Sequence, residues 1–236
     1  QSYLVEGGTL DLNGHDLAAT ELRGSGGEVL LGSAALSLDS GNYSGNISGS
    51  GNLVKQGSGY LTLEGNNTYT GGTTISGGTL AGNTSSLQGD IVNNGSLVFN
   101  QAADGTYSGS LSGSGSFEKT GSSTSLILSG DNSGYTGNTT VSSGSLIIDG
   151  LFNSAQTTVA VGGLLGGSGT IGGDVTVNGQ LSPGSSPGTL TITGNLGLNS
   201  TSSTHFELGS ETTPHASNDL INVGGNLTLG GALNAD

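Results

Sequence analysis

Cysteine, methionine and tryptophan are absent from the chain, and basic residues nearly so. Arg23, Lys55 and Lys119 stand against 17 acidic residues, for a formal net charge of −14 over 236 residues. So acidic a balance leaves binding to nucleic acid or to an anionic bilayer without electrostatic footing, and both partners are excluded. The carboxylates are spaced singly, as on a solvated surface that avoids sticking to itself. No apolar run approaches the ~20 residues that cross a membrane as a helix, so no direct membrane insertion is expected of this chain. It also begins without a basic and then apolar leader, and any secretion signal is expected to lie outside it. The lack of cysteine fits a reducing compartment and a secreted protein built without disulfides equally well.

Large side chains are scarce as well: 31% of residues are hydrophobic and 4% aromatic, whereas 48 are glycine. Glycine is entropically costly to order, so this composition alone would suit a disordered linker. The spacing of the apolar residues opposes that reading. Leu61 and Leu63, Leu126 and Leu128, Val175 and Val177, Leu190 and Ile192, Leu196 and Leu198, and Leu227 and Leu229 all sit two apart. Period two places each pair on one face of a strand. Gly, Asn, Ser and Thr punctuate the pairs, and no helical period occurs. Asn13-Gly14 is a strong turn signal, because both central positions of a type I′ turn need positive φ.

A longer repeat lies over this rhythm. The stretch Gly49 to Leu80 returns as Gly113 to Leu146, pairing Lys55 with Lys119, Leu63 with Leu128, Tyr69 with Tyr135 and Ile75 with Val141, at separations of 64, 65 and 66 residues. Strands of a β-sandwich have no reason to repeat in sequence, whereas in a parallel β-helix each turn stacks on the last and like residues fall above one another. The fold class expected is therefore all-β, a parallel β-helix of about eleven turns with roughly 20 residues per turn. Two parts are expected: repeats of the coil over 1–150, and from Leu151 to Asp236 a glycine-rich region of changed texture. Its closing segment, from His205, reads as the longest regular strands and as a cap or folding nucleus.

Chemistry finds little to work with. His15, His205 and His215 lie in different segments, and the text around Gly49-Ser50-Gly51 is Gly-Ser turn repetition rather than a nucleophile elbow, which needs a strand-to-helix turn. A glycosidase needs two carboxylates flanking one bond, and Glu64 and Asp131, at equivalent repeat positions, are expected three turns apart. Gly172-Gly173-Asp174 is a single fragment of calcium-coil text, whereas calcium needs six to eight oxygen ligands. No catalytic, cofactor-binding or metal residue is assigned, no cofactor is expected, and the chain reads as not an enzyme. Tyr43, Tyr69, Tyr107 and Tyr135 recur with the repeat and have two readings, a contact ladder on one side of the coil or packing at its corners.

The pattern L-x-K-x-G-x-G-x-L-x-L-x-G-x-N-x-Y-T-G-G-T-x-I-x-x-G-T-L, written by Leu53 to Leu80, resembles the passenger-associated transport repeat of bacterial autotransporters. The run Gly166 to Val177, with Leu181-Ser-Pro-Gly-Ser-Ser-Pro-Gly-Thr-Leu190, is similar to the late passenger region of that family, and Asp219 to Val223 with Leu229 to Leu233 to its closing turns. The second repeat departs from the pattern where Ser122-Ser-Thr replaces the glycine-centred turn and where Asn138 replaces the second glycine. The resemblance implies a right-handed β-helix at the bacterial cell surface, anchored through a C-terminal outer-membrane barrel outside this chain. It implies an autochaperone-like role for 151–236, whose early folding helps draw the rest through the pore, and a place in the adhesin and self-associating branch. Partners implied are host surface or matrix proteins or glycans, or the same passenger on another cell. A second reading makes the chain a spacer that carries an enzyme or toxin domain located upstream.

Overall fold

The computed structural model describes residues 1–184, 187–209 and 218–236. Among these there is no helix: parallel strands stack as a β-solenoid of about eleven turns. The chain divides into two compact units, one of Gln1–Asn100 with Gly109–Ser116, the other of Gln101–Ser108 with Phe117–Asp236.

In the first unit the turns up to Tyr69 contribute strands to three faces, and those from Thr73 onward to two. Ala35–Tyr43 spans two of them, pairing through Leu36 with Leu53 and through Tyr43 with Leu63. Along one face Leu36, Leu53, Thr73, Ile91 and Leu111 stand in register, and along the next Leu61, Leu80 and Leu97. Thr9–Asp11, Glu28–Leu30, Asn46–Gly49 and Thr68–Tyr69 build the third. Period two sends Leu53, Leu61, Leu63, Leu80 and Leu97 inward, where each is fully buried. A buried leucine is worth about 1.5–3 kcal/mol against exposure, so the ladder of like residues is what holds successive turns together. Asn13 and Gly14 take φ of 47° and 77°, as the type I′ reading requires.

The second unit repeats the plan. Val141, Val159, Val177 and Leu198 stack on one face, Leu126, Leu146, Leu165 and Leu181 on another, and Ile171, Ile192 and Val223 on the third. The longest strands are Asn138–Ile148 and Gln156–Gly167, of 11 and 12 residues, not the closing segment as the sequence suggested. They run long because Ser143↔Gly162 and Gly144↔Gly163 carry the pairing around a corner through a register shift after Val141. The closing strands Leu220–Val223, Leu227–Thr228 and Ala232–Ala235 are shorter. Their period-two leucines are also not core: Leu227 and Leu229 are 50% and 75% exposed and border a 210 Å3 apolar hollow with Leu196 and Phe206.

The departures in the second repeat have local solutions. Gly72 has φ of 78°, whereas its counterpart Asn138 begins a strand. In the substituted turn Ser123 holds φ of 61°, a left-handed conformation that costs a residue with a Cβ about 1–2 kcal/mol.

Candidate functional site

The two matched lysines of the repeat point inward. Lys55 and Lys119 are both fully buried. Lys55 Nζ donates to the carbonyl oxygens of Gln56 at 2.6 Å and Gly77 at 3.0 Å, with Gly57 O at 3.4 Å. Lys119 Nζ donates to Thr120 O at 2.7 Å, Thr124 O at 3.1 Å, Gly121 O at 3.2 Å and Ser143 O at 3.3 Å. Backbone carbonyls at a buried corner cannot stay unpaired cheaply, and an ammonium with three donors satisfies several at once. In both copies one acceptor belongs to the following turn, so the side chain also ties two turns together. The cage needs its glycines: Gly78 and Gly144 have φ of 62° and 69°, and a Cβ on Gly144 would stand 2.8 Å from Lys119 Nζ. Burial pushes the Lys119 ammonium down to about 8, with the Asp104 charge opposing, and lowers Lys55 in the same direction against Asp39.

The repeated tyrosines are interior as well. Tyr43, Tyr69, Tyr107 and Tyr135 are at most 4% exposed. The Tyr69 hydroxyl lies 2.8 Å from Thr73 Oγ1, the Tyr135 hydroxyl donates to Asn138 O at 2.7 Å, and the Tyr135 ring stacks on Phe152 with centroids 5.4 Å apart. Burial raises the pKa of Tyr43 and Tyr69 and takes Tyr135 to about 12. Of the two readings of these residues, packing stands and the contact ladder falls.

Several carboxylates serve the stacking too. Asp16, Asp39, Asp90 and Asp104 accept the backbone N–H of Ala35, Gly59, Ser110 and Ser125 at 2.7–2.9 Å, with partners 19 to 21 residues apart. Each aspartate thus bonds to the next turn at a corner, and the bond from Ser110 draws the Asp90 pKa down. Asp174, the calcium-text residue, accepts from the backbone and side-chain nitrogens of Asn195, whose own Oδ1 accepts from Asn226 N. Glu64 accepts from Ser44 Oγ, one turn back, at 2.8 Å, and Asp131 accepts from Ser133 N in its own loop at 3.0 Å. His15 sits in an exposed turn, His205 Nε2 is 2.9 Å from Asp236 Oδ2, and His215 lies outside the described residues.

With both lysines inside, the exposed cationic side chain is that of Arg23. It stands on the outward face of the first unit in register with Leu4 and Asn42, and its Nε lies 2.6 Å from Glu21 Oε1. Beside it, Glu21 is in register with Ser40, and Tyr60 follows Ser40 in the same column, since Gly41 pairs with Leu61. Tyr60 is 55% exposed and Leu4 69%. With Glu6 these residues line an open hollow of about 730 Å3. The sequence singled out the buried tyrosines and passed over Tyr60; the signal was its parity, because a residue adjacent to inward Leu61 must face out.

The repeated lysines and the corner aspartates are thus spent on tying successive turns together. The passenger-associated-transport-repeat family matches the chain at 53–81 and 117–148, the two stretches that carry the lysine cages. The chain is 45% identical over 175 residues, 70% of its length, to the "Adhesin BmaC autotransporter" of Brucella suis. It is 43% identical over 77 residues, 31% of its length, to the "Neisserial autotransporter lipoprotein NalP" of Neisseria meningitidis serogroup B. No solved structure matches. The repeat match and these relatives support reading the chain as a piece of an autotransporter passenger domain. It spans 5% of the length of the Brucella relative and 7% of the Neisseria one.

Proposed function

We propose that the chain is a segment of the extracellular stalk of an autotransporter adhesin. It acts in contact between cells or between a cell and a surface, and carries no catalysis. In this reading it lies at the bacterial surface, joined through the rest of its protein to a C-terminal outer-membrane barrel. Its partners are host surface or matrix proteins or glycans, or the same passenger on another cell. The observation that carries the reading is the 45% identity over 175 residues to a protein whose name is that of an adhesin. The geometry supports it: Glu64, Asp90 and Asp174 bond to residues one turn away and Asp131 to Ser133 in its own loop, structural uses that do not form an acid-base pair.

The part played by 151–236 is proposed as that of an autochaperone, folding ahead of the repeats. The long strand Asn138–Ile148 leads into this region and pairs, through a register shift after Val141, with Gln156–Gly167 inside it, which supports a role as template for the turns before it. Pulsed hydrogen exchange during refolding tests this, with early protection expected over 151–236; protection appearing first over 1–100 counts against it.

Adhesion is tested by coating the chain on beads and scoring clumping and capture on host cells and matrix proteins. Capture or clumping that disappears on heat unfolding is expected. Inert beads carrying a folded, strand-rich chain would leave a spacer and place the function in sequence beyond it.

A further inference from the structure

We propose that the hollow between Arg23 and Tyr60 is a binding site for a neutral oligosaccharide. The Tyr60 ring serves as stacking platform, and the Arg23–Glu21 pair as clamp for hydroxyl groups. The proposal rests on the adhesive reading above and gives it a ligand class and a place on the molecule.

Three observations carry it. The first is Tyr60 itself. Tyr43, Tyr69, Tyr107, Tyr135, Phe99, Phe117 and Phe152 are buried, whereas Tyr60 is 55% exposed and lends nothing to the core. An exposed ring presents an apolar face with a polar tip, the form that receives the C–H face of a sugar while its hydroxyl bonds at the edge.

The second is the state of Arg23. Its Nε is fixed on Glu21 at 2.6 Å with the side chain still 65% exposed, so the guanidinium, at a hollow that Arg23 lines, keeps donors for a ligand. A planar fork of this kind engages two oxygens at once. Glu21 and Glu6 supply acceptors and Asn42 supplies both functions, which is the mixture that adjacent sugar hydroxyls require.

The third is charge and size. One guanidinium against two carboxylates, on a chain of net charge −14, disfavours an anionic ligand and leaves a neutral polyhydroxyl one. The hollow of about 730 Å3 falls within the range of small-ligand sites, ~300–1,000 Å3. A standard protein partner would need ~800 Å2 of matched surface on each side, beyond what these residues provide. Glu21 and Tyr60 are two rungs apart in one column, ~10 Å at the spacing of parallel strands, which leaves room for two linked rings.

A single shallow site of this kind binds weakly, so the test displays the chain multivalently on beads over an array of neutral, sialylated and sulfated glycans. Binding to neutral glycans is expected, reduced about tenfold or more in Tyr60→Ala and in Arg23→Gln. Both substitutions are at exposed positions, and unchanged melting checks that the variants fold. Binding equal in wild type and both variants, binding to the anionic glycans alone, or binding to none of the array overturns the proposal. Host-cell capture separates this from the broader reading. Capture retained in both variants leaves adhesion standing and removes the hollow, whereas a wild type that captures nothing removes adhesion, with the array still deciding the hollow.

Discussion

The ammonium of Lys55 lies 3.0 Å from the carbonyl oxygen of Gly77, a residue 22 positions further along the chain and one turn further along the coil. Lys119 and Ser143 repeat the contact at 3.3 Å in the second copy. The repeat therefore encodes, besides a ladder of leucines, a buried cationic clip at one corner of the coil.

Replacing either lysine by methionine keeps the apolar stem and removes the donors. Three or four corner carbonyls then lose their partner, at about 1–3 kcal/mol for each that stays dry, against the relief of no longer burying a charge. Lys55→Met is expected to lower stability by about 2 kcal/mol in denaturant unfolding. Gly78→Ala is expected to cost as much or more, since its φ is 62° and a Cβ there would overlap Gly59 O and crowd Lys55 Nζ. Gly7→Ala, with open space around it, is the control and should be near neutral. A Lys55→Met variant as stable as wild type contradicts the clip.

The lysine and tyrosine pKa values give the fold an alkaline signature. An unfolded lysine titrates near 10.5, but Lys119 in the fold titrates at about 8. Below 8 both states hold the proton and the cost of burying it is complete; between 8 and 10.5 the fold releases it first, and stability rises with pH. Tyr135 acts in the opposite sense. Burial raises it from 10.0 to about 12, so its contribution is intact below 10 and is lost as pH climbs toward 12. Denaturation midpoints are expected to rise from pH 8 to about 10 and then fall. Lys119→Met should flatten the rise and Tyr135→Phe should soften the fall. A steady decline from pH 8, alike in wild type and Lys119→Met, would sink this assignment.

Tyr43 and Tyr69 look equivalent in sequence and differ in chemistry. The Tyr43 hydroxyl is buried with no hydrogen-bond partner, whereas that of Tyr69 is 2.8 Å from Thr73 Oγ1. Tyr43→Phe is expected to leave stability unchanged or to raise it by about 1 kcal/mol, because it removes an unsatisfied polar group. Tyr69→Phe should lower it by about 1 kcal/mol, because it orphans the Thr73 hydroxyl. Thermal melts of the two variants side by side check the sign of each.

The strand architecture was legible because period two at Leu61 and Leu63 and the return of the whole pattern at Leu126 and Leu128 admit few other folds. The turn at Asn13-Gly14 was legible because its backbone demands those residue types. The lysine clips were not. A lysine is ordinarily a solvated charge, and what buries Lys55 is a carbonyl of Gly77, brought beside it by the stacking of turns. The same spacing that marks Leu196 and Leu198 as core marks Leu227 and Leu229, which are exposed; periodicity fixes a shared face but not what covers it. Of the candidate site, Arg23 was visible as the one arginine, while its sharing a hollow with Tyr60 depended on a register that sequence separation hides.

Adhesion is tested most directly by displaying the chain on a non-adherent bacterium through an unrelated outer-membrane barrel and counting attachment to host cells and to sibling cells. Attachment clearly above that of the strain carrying the empty barrel, and lost when buried Leu63→Asp unfolds the coil, is the expected result. Attachment equal to the empty-barrel strain, with the folded chain demonstrably at the surface, would contradict an adhesive stalk.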